Sequence, residues 1–98
     1  MDFAEKVYIE TRKVPKGRVT TYKEIAKALG TKAYRAVGTA LNRNPYAPEV
    51  PCHRVVNSDG RVGGFARGEM AKARMLRKEG VFVKNHKIIN FGKIFYKL

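Results

Sequence analysis

From Phe3 onward the apolar residues recur at helical spacing. Phe3, Val7 and Tyr8 share a face, with Glu5, Lys6, Glu10 and Arg12 between them, and the period predicts a helix over residues 2–12. Val14-Pro15-Lys16-Gly17-Arg18 predicts a turn through its proline and glycine. Val19-Thr20-Thr21 is short and extended in character. A second helix opens on Thr21 and Glu24, which have the spacing of a capping box. Ile25, Ala26 and Leu29 form its apolar side, and Gly30 sits where a left-handed residue ends a helix. Thr31 can cap a third helix, about residues 33–42, on which Ala36, Val37, Ala40 and Leu41 can face the core. Arg35, Gly38, Thr39 and Asn42 fall on its other side. Two short helices joined by Gly30-Thr31-Lys32 form a helix-turn-helix pattern.

The pattern then changes. Residues 42–51 form a loop stiffened by Pro45, Pro48 and Pro51. Val55-Val56 predicts a buried pair, Asn57-Ser58-Asp59-Gly60 a turn, and residues 61–68 a glycine-rich cationic loop carrying Phe65. Such a loop can wall a pocket and offer Phe65 to a nucleobase for stacking. A last helix is predicted over 69–78, with Met70, Ala73 and Leu76 toward the core and Glu79-Gly80 closing it. In the tail, Val81-Phe82-Val83 and residues 88–91 predict a hairpin around Lys84-Asn85-His86-Lys87, with His86 a solvated turn residue.

Charge sharpens this picture. Twenty-one Lys and Arg against eight Asp and Glu leave a net +13 on 98 residues. A polyanionic partner is expected, nucleic acid first and an acidic membrane surface second, although lysine-rich composition also accompanies thermophily. With that charge, the outer face of the third helix reads as a recognition surface, small at Gly38 and Thr39 and cationic at Arg35. No apolar run approaches the ~20 residues of a membrane span, and the first residues do not read as a signal peptide. A cytoplasmic, nucleoid-associated protein is expected.

The chemistry concentrates at Pro51-Cys52-His53-Arg54, which holds the one cysteine of the chain. A single cysteine forms no internal disulfide and no thiolate zinc site. It can be a small buried hydrophobe. It can also be a nucleophile, and the cationic neighbours His53 and Arg54 suit a thiolate. A nucleophile one loop beyond a DNA-reading helix points to chemistry on nucleic acid.

These motifs, in this order, resemble the C-terminal active-site domain of the O6-alkylguanine-DNA alkyltransferases. The carriers are Gly17-Arg18-Val19-Thr20-Thr21-Tyr22, Arg35-Ala36-Val37-Gly38, Asn42-Arg43-Asn44-Pro45, Pro51-Cys52-His53-Arg54-Val55 and Glu79-Gly80. The resemblance runs from about Phe3 to Val81. It implies a mainly α domain over residues 1–98, with a minor β part: a winged helix-turn-helix-like DNA-binding fold with a short C-terminal β-hairpin. It implies binding of double-stranded DNA as a monomer through the minor groove, rotation of O6-alkylguanine out of the stack, and irreversible transfer of the alkyl group to Cys52. No cofactor is implied.

By the same resemblance, His53 is the general base acting through a water, Glu79 holds the imidazole, Asn44 braces the thiol segment and Tyr22 donates to N3 of the guanine. Val55, Val56, Phe65, Ala66 and Arg67 line the substrate pocket. Arg35 fills the gap left by the flipped base, and Ala36, Gly38, Thr39, Thr21 and Asn42 meet the DNA. The chain departs from the family in three ways. The family's usual N-terminal domain, which sometimes holds zinc, has no counterpart in these residues, so no metal is expected. Phe65 stands where tyrosine is common, and Arg67 stands where some relatives have a small residue. Two alternatives stay open: an alkyltransferase-like protein that binds the lesion without transfer, and a plain helix-turn-helix module. Proteins of the first kind carry tryptophan or alanine at the position of Cys52.

Overall fold

The computed structural model describes residues 1–65 and 67–98. α1, Phe3–Arg12, starts at Asp2, whose carboxylate accepts from the Glu5 amide at 2.8 Å. It buries Val7 and Tyr8 as the period predicts, and Thr11 besides. The Thr11 hydroxyl donates to the Val7 carbonyl, so a polar residue enters the core satisfied.

β1, Thr20–Thr21, runs into α2, Tyr22–Ala28. Thr21 caps α2 by accepting from the Glu24 amide at 3.0 Å. The capping box is only half formed, because the Glu24 carboxylate accepts from the Leu98 amide, at 2.7 Å. Gly30 follows at φ +71, the left-handed value that ends the helix without a Cβ clash. α3, Tyr34–Asn42, begins one residue later than expected, with Ala33 at the N-cap. Thr31 accepts from the Ala33 amide but does not cap the helix. Val37, Ala40 and Leu41 are buried; Ala36 is exposed, on the outer side with Arg35 and Thr39.

A single 3-10 turn, Cys52–Arg54, leads into β2, Val55–Val56, which pairs parallel with β1 (Thr20↔Val55, Thr21↔Val56). A parallel pair needs a crossover; α2, α3 and the proline loop supply it. α4, Glu69–Lys78, buries Ala73 and Leu76, but Met70 is 79% exposed and Lys72 is 0% exposed in its place. β3, Val83–Lys84, and β4, Lys87–Ile88, form the expected hairpin on a two-residue turn. Asn85 and His86 lie at φ 51 and 66, as a type I′ turn requires. The second strand is shorter than predicted: Phe91–Ile94 form a short helix, α5, too brief to leave a periodic signal. His86 is exposed, as read, and also meets the Glu69 carboxylate at 2.8 Å.

The apolar side chains form two clusters. One joins α1, α2 and α3 through Val7, Tyr8, Ile25, Val37 and Leu41, and includes Val50 and Val55. The other holds Val19, Val56, Val62, Leu76, Val81 and Ile88. β2 therefore sits between them, giving Val55 to one and Val56 to the other. The tail returns to β1: the Tyr96 amide donates to Val19 O, the Val19 amide donates to Ile94 O, and Arg18 donates to the carbonyls of Ile94 and Phe95. Among the described residues, no helix is long and apolar enough to cross a membrane.

Candidate active site

Buried Val50 and Pro51 on one side and buried Val55 on the other anchor the turn that carries the thiol. The Val50 carbonyl accepts twice, from the Cys52 amide at 2.8 Å and from Asn44 Nδ2 at 2.8 Å. Asn44 Oδ1 accepts from the Tyr46 amide at 2.9 Å. Asn44 thus ties the end of α3 and the proline loop to the residue two before Cys52. Cys52 itself is half-buried against the first cluster.

His53 is 3% exposed. Its Nε2 lies 3.0 Å from Glu79 Oε2. An ionised carboxylate only accepts, so Nε2 carries the proton. Nδ1 is buried with no partner among the described residues, and it is the ring atom left with a lone pair. Burial pushes the His53 pKa down, against the pull of Glu79, so the ring is neutral at neutral pH. Burial alone would raise the Glu79 pKa. Hydrogen bonds from Arg54, then from His53, outweigh it and hold the carboxyl below its ordinary value. Arg54 grips the same carboxylate twice, at 2.9 and 2.6 Å, and donates to Val14 O at 2.8 Å. The guanidinium expected to favour the thiolate is therefore committed to Glu79 and to the α1 side.

A buried cation reaches Tyr22 from α4. Lys72 Nζ lies 3.3 Å from the Tyr22 hydroxyl and 3.2 Å from Gly64 O, and 5.5 Å from the Tyr22 ring centroid. Burial drives the Lys72 pKa down to about 8, against the field of Cys52 and then Glu69. Burial, with a smaller contribution from Cys52, pushes Tyr22 up to about 12. Lys72 was missed because a lysine in an exposed-looking helix reads as solvated. The available signal was its spacing, four residues before buried Leu76.

Tyr22 also lines an open groove of about 610 Å³, with Lys23, Tyr34, Arg35, Gly38 and the 57–59 turn. Arg35 and Gly38 therefore meet the groove from α3, where a Cβ on Gly38 would still meet open space. Ala36, Thr39 and Asn42 are exposed on the same helix. Thr21 is placed differently: it is buried, with its hydroxyl accepting at the α2 cap. Val55 and Val56 are fully buried, one in each cluster. Phe65 is half-buried, Arg67 is exposed, and Ala66 lies outside the described residues. Gly63 keeps the loop close to the groove wall: a Cβ there would come within 2.9 Å of Asn57 Oδ1. Among the described residues no three His, Cys, Asp or Glu side chains could together hold a metal ion.

This architecture has close counterparts. A family model described as "6-O-methylguanine DNA methyltransferase, DNA binding domain" matches residues 2–81. A Metallosphaera sedula protein named methylated-DNA–protein-cysteine methyltransferase is 50% identical over 82 residues, 84% of this chain and 51% of that protein. The chain spans about half the length of the curated relatives it matches. The structure of Mycobacterium tuberculosis OGT in complex with DNA superposes with a TM-score of 0.77 at 39% identity, covering 81% of this chain and 50% of that one. The structure of S. pombe Atl1, in complex with damaged DNA containing O6-carboxymethylguanine, gives 0.82 at 32% identity, covering 98% and 95%.

Proposed function

The chain belongs to the family of the 6-O-methylguanine DNA methyltransferase DNA-binding domain, and on that premise we propose that it repairs DNA by moving the alkyl group of O6-alkylguanine onto its own Cys52. The observation that carries the reading is the His53–Glu79 pair, whose histidine directly follows the cysteine, with Nδ1 of His53 buried and without a partner among the described residues. A plain DNA-binding module has no use for such an atom.

In this reading the protein binds duplex DNA as a monomer with α3 in the minor groove. Arg35 occupies the space vacated by the flipped base, which enters the groove beside Tyr22. His53 takes the thiol proton through a water, and Glu79 stabilises the imidazolium that forms. The thiolate attacks the alkyl carbon, the carbon–O6 bond breaks, and its electron pair passes to the purine. Tyr22 donates a hydrogen bond to N3 as charge develops there, and Lys72, behind its hydroxyl, strengthens that donor. Thioether formation ends the reaction, so each molecule acts once. The protein works in the cytoplasm, with the nucleoid.

Intact mass after incubation with an oligonucleotide containing one O6-methylguanine tests this directly. The expected result is a gain of one methyl group that vanishes in Cys52→Ala. The near full-length match to Atl1 favours one other reading, recognition of the lesion without transfer. Tight, lesion-selective binding with no mass gain would establish it instead.

Arg67, exposed on the loop before α4, narrows the mouth of the site in this reading. Arg67→Gly is expected to raise the rate on benzyl adducts relative to methyl adducts. An unchanged ratio of the two single-turnover rates would remove Arg67 from the specificity determinants.

A further inference from the structure

The hairpin after α4 carries charge in an arrangement that works against its own stability. Lys84 and Lys87 are directly opposite across β3 and β4, and Arg61 is directly opposite Lys87 on the other side. Two more backbone bonds complete the three-stranded ribbon: the Val62 amide donates to His86 O, and the Ile88 amide donates to Gly60 O. Residues directly opposite in a sheet share a face, so the three cations form one ladder with rungs roughly 5 Å apart. Like charges in such pairs destabilise a ribbon. All three residues are exposed. Among the described residues neither lysine has an ion-pair partner, and Arg61 has only exposed Asp59 at 3.5 Å.

The ladder continues the wall of the candidate site. Asn57, Ser58 and Asp59 line the groove beside Tyr22. Arg61 follows two residues later, its carbonyl accepting from the Asn57 amide. Asn57, Arg61 and Lys87 also border a second groove against the start of α4. Both lysines lie beyond residue 81, outside the region that matches the family model.

We infer that Arg61, Lys87 and Lys84 grip the sugar–phosphate backbone flanking the flipped nucleotide, a sequence-independent contact added to that of α3. The inference rests on the repair reading above. A polyanion relieves the repulsion along the ladder, and its place at the groove wall sets it beside the strand that delivers the base.

The test is the salt dependence of duplex binding by the triple variant Arg61→Gln/Lys84→Gln/Lys87→Gln. Each lost phosphate contact lowers the slope of log affinity against log salt by about 0.9, so the expected loss approaches three units. A control, Lys6→Gln/Lys13→Gln/Lys16→Gln, removes the same charge around α1 and is expected to change the slope far less. Equal slopes for wild type and the ladder variant, or equal losses in ladder variant and control, would overturn the inference. The thermal midpoint of the ladder variant, expected at or above that of wild type, shows that any loss is not unfolding. Wild-type protein is first checked for methyl uptake from the same duplex. Failure there, together with a flat wild-type salt response, would overturn the repair reading itself.

Discussion

Glu79→Gln is expected to slow alkyl transfer at neutral pH by about two to four orders of magnitude, the range general-base catalysis contributes, while binding of the lesion duplex persists. One carboxylate serves two partners, accepting from His53 Nε2 and doubly from Arg54. An amide of the same shape must turn an N–H toward one of these donors. It also removes the negative charge that stabilises the imidazolium as the thiol proton arrives. Single-turnover transfer and duplex affinity, measured separately, check the split; equal losses in both would make Glu79 purely structural.

The same substitution carries a pH signature. The Glu79 pKa is held below its ordinary value in the folded protein. Its stabilisation is therefore complete above the unfolded carboxylate range and is lost as pH falls through the lower folded value. Wild-type melts are expected to weaken more steeply below about pH 4.5 than those of Glu79→Gln. His53 is also depressed, by burial first, so the acid limb of the transfer rate is expected below the ordinary histidine value of about 6.5.

Lys72→Met is expected to raise the thermal midpoint and to slow transfer at once. A lysine with a folded pKa of about 8 against an ordinary 10.5 penalises the fold by about 3 kcal/mol at neutral pH, to order of magnitude. The sign follows from proton uptake. Above pH 10.5 both states are neutral and the penalty is absent. It builds as pH falls toward 8 and is constant below that. Methionine fills similar volume without the charge, so a gain of roughly 5–10 °C is expected at pH 7 after the lost hydrogen bonds are discounted. That gain shrinks above pH 8. Transfer is expected to fall about a hundredfold, because Tyr22 loses the cation behind its hydroxyl. A variant that melts higher and reacts at the wild-type rate would remove Lys72 from the chemistry.

How much of this was legible beforehand follows from what leaves a local signal. Periodicity and turn chemistry located α1 through α4, and Thr21, Gly30 and Gly80 mark boundaries the structure keeps. Cys52 and His53 stood out as a pair in sequence. Glu79, 26 residues from His53, entered through family resemblance, because no local pattern links the two. Two of the errors share a cause. Hydrophobicity points Met70 of α4 toward the core, whereas the structure exposes Met70 and buries Lys72. There, the Tyr22 hydroxyl and the Gly64 carbonyl receive the Lys72 ammonium, so a charged side chain is held inside. Ala36 was set toward the core by its methyl group, although the outer face of α3 holds it. Glu24 left its expected cap partner for the Leu98 amide, 74 residues away, a contact only the folded chain can supply.

β2 divides the apolar interior between Val55 and Val56, and the chemistry is divided with it. Cys52 packs on the cluster of α1, α2 and α3, whereas Glu79 caps α4, whose Leu76 belongs to the other. The His53–Glu79 and Arg54–Glu79 bonds thus tie the two clusters together beside the thiol. A fluctuation that loosens the α4 cluster disconnects the base from its carboxylate before it disturbs the packing of the thiol. Heat inactivation is expected to begin below the global melting transition, with transfer activity lost before the far-UV circular dichroism signal, and the site then reports how well the two clusters stay joined.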